Sequence, residues 1–135
     1  MPHFGAFYFG GIMNKQVENY FNTMVDKIKS LFNVNIPIYP LNHKMFLSEE
    51  EDVLGCCHRI KADSGEIIGY VITIDEDYIT ACYYGRQTQY SLYSDRTLME
   101  TICHEIAHLY YWNHDKDHEQ LTKEMLKITE SSFCM

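Results

Sequence analysis

Apolar residues fall at helical spacing in three stretches of the chain and crowd into β-prone runs between them. From about Asn14 to Phe32, Val17, Phe21, Met24, Val25, Ile28, Leu31 and Phe32 recur at steps of three and four, which predicts an amphipathic helix interrupted by Asn33 and Asn35. Ile36, Ile38 and Leu41 then begin a short extended segment. Pro37 and Pro40 lack an amide donor, so this segment can occupy only an edge position. Val53 to Lys61 and Ile67 to Asp75 flank Ala62-Asp63-Ser64-Gly65 and predict a β-hairpin with a tight turn. Tyr78 to Tyr84 is a third β-prone run, expected to extend or close the sheet. Acidic Glu49 to Asp52 and polar Gly85 to Ser94 are expected to be loops.

With Ser94 or Asp95 as N-cap, Leu98, Met99, Ile102, Cys103, Ile106 and Leu109 form the apolar face of a second helix, for which Asn113 offers a left-handed stop. A last helix from about Asp117 to Thr129 carries Leu121, Met125 and Ile128. The predicted fold is α+β, with an N-terminal helix, a small, mostly antiparallel three-stranded sheet, a histidine-bearing helix and a C-terminal helix. One domain over residues 1–135 is expected, with residues 1–13 as a leader.

Composition narrows the setting. A chain of 135 residues that is 46% hydrophobic can fill one core. The first residues lack a basic segment, glycines break their apolar stretch, and no apolar run nears the ~20 residues a membrane span needs. An intracellular, cytoplasmic location is therefore expected. The five cysteines are odd in number and show no C-x-x-C pair, so reduced thiols are expected rather than a disulfide framework. A net charge of −8 argues against an extended nucleic-acid surface.

The chemistry concentrates in His104-Glu105-Ile106-Ala107-His108. Histidines four apart on a helix differ by ~40° around the axis and ~6 Å along it, so both imidazoles can reach one ion. Neutral imidazole suits Zn²⁺, and a catalytic zinc takes three protein ligands and leaves one position open. His114 qualifies as the third ligand only if the helix stops early enough for the chain to turn back, and His118 is the rival. Glu105 projects elsewhere around the helix, as befits a carboxylate that accepts a proton from zinc-bound water and passes it to a leaving amine. His3 and His58 have no partner at ligand spacing, and His43 is expected to lie in a loop. Cys103 points ~100° away from His104, toward the core. Tyr83, Tyr84, Tyr110 and Tyr111 are packing candidates, one of which could steady an oxyanion.

The stretch from Cys103 through His118 resembles the active-site region of the WLM, YgjP-like and SprT-like metallopeptidases, with His114-Asp115-Lys116-Asp117-His118 and Leu121 similar to a pattern that follows the motif there. The resemblance implies a compact zincin-like core with His104, His108 and His114 as zinc ligands and Glu105 as catalytic base. The implied function is zinc-dependent hydrolysis of a protein or peptide substrate. His118 stands where those families have an aromatic residue. Metzincin peptidases share the spacing of the third histidine but place glycine where Tyr111 stands, and YbeY-type endoribonucleases share it without a glutamate like Glu105. The alternatives are a non-catalytic zinc-binding interaction module and, further off, a metal-dependent endoribonuclease.

Overall fold

The computed structural model describes residues 13–46, 54–85 and 92–133. The expected leader at 1–13, but for Met13, and the expected loops at Glu49 to Asp52 and, for the most part, Gly85 to Ser94 lie outside them. The elements run α1 (Lys15–Phe32), β1 (Ile38–Leu41), α2 (His43–Phe46), β2 (Gly55–Lys61), β3 (Ile67–Asp75), α3 (Glu76–Gly85), α4 (Asp95–Ala107) and α5 (Lys116–Phe133). The fold is α+β, as its patterning predicts.

Local chemistry sets the boundaries. Asn14 caps α1 by accepting the Val17 amide, and Asn33 ends it at φ 53°, a left-handed conformation asparagine tolerates. Ser94 caps α4 in a reciprocal box with Thr97: each side chain accepts the other residue's backbone N–H. Gly65, at φ 91°, closes the hairpin turn, where its amide reaches the Ala62 carbonyl at 2.8 Å.

The sheet order is β1-β3-β2, with β3 parallel to β1 and antiparallel to β2. The third strand is therefore β1, which holds the edge position its prolines allow. The β-prone run Tyr78 to Tyr84 is helical instead, inside α3. Its intrinsic preference yields to burial, because Tyr78, Ile79 and Cys82 recur at helical spacing and all three are buried. Ile72 and Ile74 of β3 join Val17, Phe21 and Ile28 of α1 and Leu98, Ile102 and Ile106 of α4 in one core, each fully buried.

Asp75 joins sheet and helices. At the end of β3, 8% exposed, it accepts the His43 amide with Oδ1 at 3.1 Å and the Tyr78 amide with Oδ2 at 3.2 Å, capping α3 while anchoring α2. Asp75→Ala strands two backbone donors and is expected to cost roughly 2–4 kcal/mol, read as a lower urea midpoint at unchanged m-value. A loss under 1 kcal/mol would show that water replaces the carboxylate at both amides.

Candidate metal centre

One face of α4 packs Leu98, Ile102, Cys103 and Ile106 into the core, which leaves Thr101, His104, Glu105 and His108 along the side that lines a cleft of about 840 Å³. The helix stops at Ala107. His108, Leu109 and Tyr110 bond back to the carbonyls of Glu105, Ile106 and Ala107, a tightened last turn that ends the helix well before Asn113. The expected left-handed stop at Asn113 is not observed, since Asn33 is the one non-glycine residue at positive φ among the described residues. A 3₁₀ turn leaving His108 in right-handed conformation does the work instead.

The early stop brings His114 back. Its Nε2 lies 3.2 Å from His104 Nε2 and 3.0 Å from His108 Nε2. Nitrogens bound tetrahedrally to one zinc at its usual bond length stand ~3.3 Å apart, so His114 stands at ligand spacing from both of the other imidazoles. Tautomers agree with this. The Tyr111 carbonyl, 3.2 Å from His108 Nδ1, can only accept, so Nδ1 carries the proton and Nε2 presents its lone pair. Burial, with His118, His108 and His114 nearby, lowers the His104 pKa to about 4, and burial also lowers that of His108; both rings are held neutral, the form that binds metals.

His118 sits in the same cluster, on the first turn of α5 and only 2% exposed. Together with His104 and His108 it forms a group whose ligand atoms lie within 4.8 Å of one another, enough to hold a metal ion. Its Nε2 donates to the His104 carbonyl at 2.9 Å, and its ring stacks on that of His108 with centroids 4.1 Å apart. That bond ties α5 to the last turn of α4. Asp115 completes the connection by accepting the His118 amide at 3.0 Å, so the residue after His114 caps the next helix.

Glu105 is 5% exposed, and no described residue hydrogen-bonds its carboxylate. Burial pushes its pKa up to about 7, and a cation nearby would draw it down again. The carboxylate fits because strand β2 begins with a glycine. A Cβ at Gly55 would stand 3.0 Å from both Cγ and Oε2 of Glu105 and 3.1 Å from Cγ2 of Thr101.

The other sequence-level candidates divide clearly. Cys103 is buried, with Sγ 3.7 Å from the Thr129 hydroxyl, a core residue as expected. Among the described residues no tyrosine lines the cleft, so none stands where it would steady an oxyanion there. His43 and His58 meet at a distance from the cluster, each with Nε2 2.9 Å from the Thr73 hydroxyl. Sequence reasoning missed Gly55, Trp112 and the Tyr111 carbonyl. Only the glycine at the start of a predicted strand carried a readable signal, since the other two depend on how the loop after α4 folds back.

Gly55 provides a test of the close approach. Gly55→Ala must displace Glu105 or separate β2 from α4, at an expected cost of about 1–3 kcal/mol in thermal unfolding. Gly69→Ala, whose new Cβ meets nothing nearer than Ile60 Cδ1 at 3.8 Å, is expected to be neutral. Equal melting temperatures for the two variants would refute the packing argument.

Comparison with protein-family models, with curated proteins and with solved structures gives no match to this chain, so the reading of the centre rests on its own geometry.

Proposed function

We propose that the chain is a zinc-dependent metallopeptidase of the zincin type, with His104, His108 and His114 as ligands and Glu105 as general base. The observation that carries this reading is the approach of His104 Nε2 and His108 Nε2 to His114 Nε2, at 3.2 and 3.0 Å, next to a buried carboxylate with no hydrogen-bond partner among the described residues. A zinc ion supplies Lewis acidity that polarises a carbonyl and lets water attack near neutral pH. Glu105 then takes a proton from the attacking water and returns it to the leaving amine. His114 is preferred over His118 because the Nε2 of His118 is committed to the His104 carbonyl.

The cleft suits an extended peptide. Leu54, Gly55, Cys56 and Cys57 form one wall of it, facing Thr101, His104, Glu105 and His108. The sequence pattern favours Ile67 to Asp75 as the edge beside the metal helix, but that segment is the central strand β3, paired on both sides, and β2 is the edge. Main-chain pairing along β2 would select extended substrates with weak dependence on side chains.

Two measurements test this function. Elemental analysis is expected to give one zinc per chain, lost in His114→Ala and kept in His118→Ala; the reverse pattern would make His118 the third ligand. Glu105→Gln preserves size and polarity but cannot take the proton, so peptide hydrolysis is expected to fall by ~10² to 10⁴-fold while zinc content and melting temperature hold. Unchanged hydrolysis in that variant would end the mechanism. A parent protein that binds zinc and cleaves neither peptides nor RNA would instead be a non-catalytic module.

A further inference from the structure

Gly55, Cys57 and Arg59 alternate along one face of β2, the face that Gly55 presses against Glu105. Following that face away from Glu105 leads to Trp112, which lines the cleft beside the histidines, its ring centroid 5.9 Å from that of His108. The Arg59 guanidinium lies 3.7 Å over the indole, and Tyr70, paired directly opposite Arg59 on β3, sits 6.3 Å from the same ring. Among the described residues Arg59 makes no ion pair and no hydrogen bond through its side chain. In a chain with 19 acidic and 11 basic residues, a cation stacked on a cleft-lining indole, with its N–H groups unpaired among the described residues, is a recognition element in waiting.

We infer that Arg59, stacked on Trp112, is a subsite for a carboxylate of the peptide lying in the cleft. This deepens the peptidase reading and rests on it for the nature of the ligand. A planar guanidinium binds a carboxylate through two parallel N–H···O bonds, and stacking fixes the plane without using those donors. Of the acidic side chains lining the cleft, Glu119 is paired with Lys123 at 3.2 Å, and Glu100 sits on α4 one turn before His104, whereas Trp112 follows His108. A peptide with its negative group toward Arg59 keeps that charge away from Glu100, whereas a phosphodiester backbone running along α4 would meet Glu100 and Glu105. An extended chain advances ~3.4 Å per residue, which puts the recognised group roughly two or three residues from His108. Two sources fit: a free C-terminus, or an aspartate or glutamate side chain.

Trp112 is the chain's one tryptophan, so its fluorescence reports this subsite without any need for turnover. The zinc-loaded Glu105→Gln protein is titrated with N-acetyl alanine tetrapeptides carrying a C-terminal carboxylate, a C-terminal amide, or an amide with glutamate in the last position. At least one carboxylate peptide is expected to bind about tenfold more tightly than the neutral amide, and the one that does identifies the source. That preference is expected to vanish when Arg59→Gln is added and to weaken with Arg59→Lys, which keeps the charge but not the fork. Equal affinity for charged and neutral peptides, a preference that survives Arg59→Gln, or no response to any peptide would each overturn the subsite. The two readings fail separately. A carboxylate preference in a parent protein that hydrolyses nothing keeps the subsite and removes the peptidase, while equal kcat/KM on charged and neutral peptides keeps the peptidase and removes the subsite.

Discussion

Two imidazole nitrogens within ligand distance of a third pose an electrostatic problem that the surrounding chain has to solve. The proton on His108 Nδ1, fixed by the Tyr111 carbonyl, turns the Nε2 lone pair of that ring toward His114. A single Nε2–H on His114 can point at His104 or at His108 but not well at both, so one lone pair always faces another. Protonating the rings does not help, because burial and mutual repulsion keep His104 and His108 neutral. A divalent cation at the point of convergence satisfies all three at once. The donor set therefore fits a metal on its own chemistry.

Holding that arrangement takes structure well beyond the three histidines. The 3₁₀ turn at His108 sets where the chain leaves α4, and Asp115 and His118 determine where it enters α5. His118 is 2% exposed and donates to the carbonyl of His104, so one ligand-bearing residue is braced through its backbone. Four imidazoles packed with centroids 4.1 to 5.4 Å apart have little freedom to reorient. A site so crowded is preorganised, which lowers the entropy lost when a ligand arrives.

Much of this was legible in the chain, for reasons that differ by element. Helices α1, α4 and α5 announce themselves because one face of each must be buried, and that requirement writes a 3.6-residue period into the sequence. The His104 and His108 pair follows from helix geometry alone, and Ser94 caps α4 as its side-chain chemistry requires. Spacing puts His114 within reach and points to a stop at Asn113, whereas α4 ends at Ala107 through backbone bonds that no side chain advertises. Tyr78 to Tyr84 was misleading because tyrosine, isoleucine and threonine favour strands on average, while Asp75 and the core place them in a helix. Strand order lay out of reach, since period-two patterning says which face is buried and nothing about which neighbour pairs.

The strand order matters most at the site. Because β3 is central and β2 is the edge, the wall facing the histidines is made by Leu54 to Cys57, and it starts at a glycine. A side chain at position 55 would crowd the Glu105 carboxylate, its Cβ standing 3.0 Å from Oε2. The same strand then carries Arg59 over Trp112, which lines the cleft. One edge strand, seven residues long, thus sets Gly55 against Glu105 at its start and Arg59 over Trp112 near its end, and its outer edge has no strand partner among the described residues. The alternation that sends Gly55 and Arg59 to the same face is the period of two inherent in any strand, so the side on which Arg59 emerges follows from where β2 begins.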